Sequence, residues 1–112
     1  MDTIFPLSVT NLPQADISLE GVTAYVAQGE NYQIIFSKYT KDAYIPEHMH
    51  ESQWGVVLEG KIEFRINATM HIYTKGDRYF IPKGIAHSSN VYAGYADIIF
   101  FNEKDRFRVK KT

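Results

Sequence analysis

The sequence contains no cysteine. That excludes a disulfide framework, thiolate metal sites and thiol catalysis, and it fits a reducing compartment. Neither sign of charge is in excess: 12 Lys plus Arg stand against 13 Asp plus Glu, for a net charge of −1. A nucleic-acid partner would leave a basic surplus, so none is expected. The longest strictly apolar run is Ile98-Ile99-Phe100-Phe101. It falls far short of the ~20 residues a membrane helix needs, so no membrane partner is expected either. The first ten residues carry an acid at Asp2 and no basic stretch ahead of an apolar run, which makes a poor secretory signal. The expected location is the cytoplasm. Internal repeats, low-complexity tracts and long amphipathic helical patterns are also missing.

What is present is aromatic and strand-favouring: eight Tyr, seven Phe and one Trp in 112 residues. The length suits one domain, residues 1–112. Short alternating runs are separated by turn signals. Runs near residues 32–37, 53–58, 62–66, 70–73, 78–81, 88–92 and 95–101 read as strands. Turns fall at 41–43, 59–61, 67–69, 75–77, 82–84 and 93–94. Turns at that spacing indicate an all-β sandwich or barrel. Residues 1–20, with Pro6 and Pro13, read as an arm or edge segment. Residues 103–112 carry five basic and two acidic side chains and read as a solvated tail.

Four histidines stand in the chain, two of them as His48-Met49-His50. On extended backbone, residues two apart point the same way, so this spacing suits a shared metal ion. Gln53 follows three residues later, and six residues lead from it to Gly60. Further on, Gly76 is followed by five residues, then Pro82-Lys83-Gly84, two residues, His87, two residues and Asn90. These two segments resemble the paired sequence motifs of the cupin superfamily. The resemblance spans about residues 40–101, and GDRYFIPKGIAHSSN is its more specific half.

The resemblance implies a double-stranded β-helix, a jelly-roll barrel of two facing antiparallel sheets. It also implies one metal inside, held by His48, His50, Gln53 and His87. Gln53 stands where Glu is commoner, and the first motif is one residue short. With four neutral ligands a divalent ion keeps its whole charge in a low-dielectric barrel and favours an anionic ligand. Mn, Fe, Co, Ni, Cu and Zn all suit such donors. His71, left over, is expected to be an outward or packed histidine.

Period-two alternation turns Gly55 and Val57 inward with Gln53, and Trp54 outward with Val56 and Leu58. Trp54 is expected to be covered by a second subunit, because small cupins often form homodimers. Asp97, Ile99 and Phe101 share a face. If that face looks inward, Asp97 can serve as general base. Ile34, Phe36 and Tyr79 or Phe80 are candidates for an apolar pocket wall, with Phe101. Arg65 or Arg78 could clamp a carboxylate, although alternation sends Arg65 to water.

The resemblance favours a small metalloenzyme acting on a keto, hydroxy or sugar acid. The small cupins of uronate breakdown, which also show Gln among their ligands, are the nearest functional cousins. They carry a downstream Asp, Phe and Arg cluster. Here the matching stretch is DIIFFNEKDRF, with Phe100 or Phe101 and Lys104 or Arg106 as counterparts. The alternatives are a non-catalytic, metal-dependent small-molecule binder, an iron or copper dioxygenase, and a metal-free barrel.

Overall fold

The computed structural model describes residues 4–110. The first three residues of the expected arm and the last two of the expected tail lie outside them. Among the described residues nine strands run in chain order: β1 (Val22–Gln28), β2 (Gln33–Tyr39), β3 (Ala43–His48), β4 (Gln53–Glu59), β5 (Lys61–Ile66), β6 (Thr69–Thr74), β7 (Arg78–Ile81), β8 (His87–Val91) and β9 (Ala96–Phe101). A short helix, α1 (Leu7–Thr10), precedes them. The strands form two antiparallel sheets, β1-β2-β9-β4-β7 and β3-β8-β5-β6. Their facing sides build the core of the barrel.

Each strand read from the sequence exists, within a residue or two at its ends. Two were not anticipated. β1 lacks clean alternation, because Ala24, Tyr25 and Val26 are all buried in succession. Tyr25 packs under Phe5 of the N-terminal segment, so both faces of the strand are covered. β3 holds Pro46, which argues against a central strand. It survives because β3 is an edge strand, and because the pairing shifts at that point.

Turn chemistry follows the sequence closely. Asn67 and Ala68 both have positive φ, 50° and 65°, and close the two-residue hairpin between β5 and β6. Gly60, at φ 77°, joins β4 to β5, and a Cβ there would lie 2.7 Å from the Tyr95 backbone. Both the conformation and the contact require glycine.

The core has two centres. One gathers Val57, Ile62, Phe64, Tyr79, Ile81 and Val91 between the sheets. The other gathers Ala15, Ala24, Val26, Ile35 and Phe101. The N-terminal segment therefore contributes to the core, through buried Phe5 and Ala15, where an edge arm was expected.

The C-terminal segment also differs from the solvated tail expected of its charge. Gln33, buried on β2, holds Phe107 by both backbone groups: its Nε2 donates to the Phe107 carbonyl at 3.0 Å, and the Phe107 N–H donates to its Oε1 at 3.0 Å. Asp16 N–H donates to the Arg108 carbonyl, and Lys110 N–H to that of Gln14. Basic side chains obscured a strap that is tied by its backbone.

Candidate metal centre

β3 and β8 lie side by side in the second sheet, and their register decides the site. Ile45 pairs with Ser89, but the next matched pair is His48 with His87. Three residues on β3 thus span two on β8, a β-bulge at Pro46-Glu47. Without the extra residue Glu47 would face His87. With it, the His48 and His87 rings stand 4.4 Å apart, centroid to centroid. His50 follows just beyond the strand, 5.0 Å from His48 and 4.9 Å from His87. One potential ligand atom from each ring lies within 4.8 Å of the others.

The hydrogen bonds select which nitrogen that is. His48 Nδ1 donates to the Pro46 carbonyl at 2.8 Å, His50 Nδ1 to Glu51 at 2.6 Å, and His87 Nδ1 to Ile85 at 2.9 Å. A neutral imidazole that donates from Nδ1 presents a lone pair on Nε2. His50 Nε2 is buried and has no hydrogen-bond partner among the described residues. A buried acceptor left bare costs the fold free energy, unless a ligand completes it.

Electrostatics points the same way. Burial pushes the His50 pKa down to about 4, and the neighbouring Arg106 and the other two histidines add to that; its hydrogen bond to Glu51 offsets part. Burial also lowers His87, with His48 and Arg106 contributing. At neutral pH both rings are therefore uncharged, the form that binds metals. The donor set fits a divalent transition ion: three imidazole nitrogens with room for further ligands.

Gln53 opens β4 and is buried on the inner face. Its Nε2 donates to the Tyr79 hydroxyl across a long 3.5 Å. In that orientation its Oε1 remains as the group able to ligate. Tyr79, on β7, crosses above Gly55, where a Cβ would lie 2.4 Å from its ring. Burial holds its phenol protonated, with Asp97 adding to the effect.

A cavity of about 70 Å³ opens from the histidines into the barrel. Tyr79, Phe101 and Asp97 line it. Phe101 packs edge-on against His50. Phe36 does not line it. Its ring packs on Phe5, on the outer face of β2, and Ile34 shares that face. The inner face carries Gln33, Ile35 and Ser37 instead. The alternation was real but inverted, because this interior keeps polar groups while the outer face is apolar. Phe80 points outward as well, 59% exposed.

Asp97 is turned inward, but not beside the histidines. Gln53 pairs with Phe101, whereas Val57 and Ser37 flank Asp97. Four residues along a strand place it ~13 Å from that end.

Arg65 and Arg78 are exposed and do not line the cavity. The cation that reaches it is Arg106, one of the two candidates in the tail. Its guanidinium lies 4.4 Å from the centroid of Phe107 and 5.5 Å from that of Phe101. Its Nε is buried without a partner among the described residues. His71 stacks on Tyr73, outside the histidine cluster.

A β-barrel with three converging imidazoles defines a class of metal-site proteins. The comparisons narrow the class. Residues 36–96 match the family model described as the cupin domain. The chain belongs to the cupin family. Among solved structures, it resembles an RmlC-like cupin from Shewanella frigidimarina, with a TM-score of 0.74, 21% identity and 94% of each chain covered. KdgF from Halomonas sp. gives 0.68 and 19%, covering 81% of this chain and 87% of that one. An oxalate decarboxylase from Bacillus subtilis, described with Mn(II) centres, gives 0.70 and 18%, covering 87% of this chain and 29% of that one. These likenesses concern the fold. A search of the curated proteins finds no match. Among the described residues, no helix is long and apolar enough to cross a membrane.

Proposed function

We infer that the protein binds one divalent transition metal through His48, His50, His87 and Gln53, and uses it on a small anionic keto, hydroxy or sugar acid. The observation that carries this reading is the buried, unpartnered Nε2 of His50 between two further imidazoles. All four donors are neutral, so a bound ion would keep its full charge and attract an anion. Such an ion supplies Lewis-acid polarisation of a carbonyl.

The chain's own residues complete the reading. Arg106 brings a positive charge and an unpartnered donor to the same cavity, a combination suited to a carboxylate. Phe101 and Tyr79 wall the space. An acid of the uronate type belongs to this class, and the resemblance of the sequence motifs to the small cupins of uronate breakdown favours testing it. Manganese, named for the oxalate decarboxylase, is the first ion to try.

A homodimer is part of the same proposal. Ile34, Phe100, Trp54 and Phe80 are cross-strand neighbours on the outer face of the five-stranded sheet. Trp54 is 43% exposed, and Tyr32 stacks on Phe100 at 5.1 Å. A row of that kind marks an interaction surface.

The deciding experiment is metal-to-protein stoichiometry by elemental analysis after loading with Mn, Fe, Ni or Zn salts. The wild type is expected to hold about one ion per chain, Gln53→Ala less, and His50→Ala none while its circular dichroism stays unchanged. Full metal content in His50→Ala defeats the assignment.

A further inference from the structure

The cavity holds a group that the metal reading does not use. Asp97, the second residue of β9, is buried, and no cation among the described residues pairs with it. Its partners are hydroxyls. Ser37, adjacent on β2, donates to Oδ1, and Tyr95 donates to Oδ2 at 2.5 Å. Ser89, on β8, lines the same cavity from the facing sheet.

An isolated carboxyl is expensive to bury, and an apolar residue would fill an ordinary core position. Here a carboxyl lines a cavity instead. A carboxylate offers about four lone-pair positions, of which Ser37 and Tyr95 occupy two. Asp97 lines the same cavity as His48 and His87, so the remaining positions are available to a ligand there.

We propose that Ser37, Asp97 and Tyr95 form a hydroxyl-binding subsite, which selects organic acids bearing a hydroxyl at the end remote from the metal. This rests on the reading that an acid head binds at the histidines. The two ends lie ~13 Å apart along β9, so a ligand touching both is a chain of about six carbons. Gly55 allows this arrangement: its missing side chain lets Tyr79 lie against β4, with the cavity wall continuing past it. The subsite thus discriminates by the far end of the molecule, whereas the metal discriminates by its head.

The test compares 6-hydroxy-2-oxohexanoate with 2-oxohexanoate by titration calorimetry on the Mn(II)-loaded protein. At pH 8, where the Asp97 carboxyl is ionised, a hydrogen bond to it is worth about ten- to a hundred-fold in affinity. The hydroxylated acid is expected to bind tighter by that factor. The preference is expected to vanish in Asp97→Asn and to shrink in Ser37→Ala, with affinity for 2-oxohexanoate held in both. Equal affinity of the two acids for the wild type overturns the subsite and leaves the metal reading standing. So does a preference that persists in both variants.

If neither acid binds the loaded protein, the anion reading fails, and a second measurement decides the subsite alone. Butane-1,4-diol is then titrated into metal-free protein, and amide NMR shifts are followed. Shifts centred on Ser37 and Asp97, lost in Asp97→Asn, support the subsite; shifts elsewhere, or none, overturn it. The variants' dispersed amide spectra show whether they remain folded.

Discussion

Replacing Asp97 with asparagine should change how stability depends on pH, in a direction that the structure fixes. Burial raises the Asp97 carboxyl from 3.8 to about 7; the hydrogen bonds from Ser37 and Tyr95 offset only part of that. Below pH 4 the carboxyl is protonated both folded and unfolded, and contributes no pH dependence. Between 4 and about 7 the folded protein keeps a proton that the unfolded chain has released, so stability falls as pH rises. Above about 7 both states are ionised and the loss is complete. Each pH unit of that interval is worth ~1.4 kcal/mol, so the whole loss is roughly 4 kcal/mol at pH 8.

His50 and His87 pull the other way, because their lowered values make the fold gain stability as pH rises toward 6.5. They are common to wild type and variant, and cancel in the difference. The assay is urea unfolding followed by far-ultraviolet circular dichroism at half-unit steps from pH 4 to 8. It uses chelator-treated protein, so that metal binding adds nothing. Asp97→Asn relative to wild type should gain roughly 4 kcal/mol across that range, most of it between pH 4 and 7. A difference that stays constant with pH would refute the reasoning.

Two further substitutions probe packing. Trp54→Arg places a charge in the exposed aromatic row, and should move the sedimentation profile from dimer toward monomer; an unchanged profile removes this face from the interface. Gly55→Ala sets a Cβ 2.4 Å from the Tyr79 ring. It should cost about 1–3 kcal/mol in urea unfolding, and a neutral result would show that Tyr79 can move aside.

Much of the fold was legible because each face of most strands has one environment. β5 shows it plainly: Ile62 and Phe64 are buried and Arg65 is exposed, as alternation required. The reasoning failed where an environment was unusual. On β2 the interior accepts Gln33 and Ser37, so apolar parity chose the wrong face and put Phe36 in the pocket. On β1 a covering segment buries both faces and erases the period. The histidine cluster was legible through spacing, since His48-Met49-His50 and the downstream His87 are local patterns. The bulge that aligns His48 with His87 had one trace in the sequence, Pro46. Arg106 could be noticed as a cation, but its position depends on Gln33, more than seventy residues away, holding the backbone of Phe107. No local pattern encodes such a contact.

Each of the three imidazoles is held by a carbonyl within two residues of itself. Those tethers belong to the polypeptide and owe nothing to an ion. For the proposed ion, the tethers would hold the chelating geometry independently of it, unlike small domains whose ligands assemble only as the ion folds them. Metal capture and chain folding become separate events. An ion bound there, as proposed, would be exchangeable without loss of the fold, and its identity would follow the supply around it rather than the history of folding.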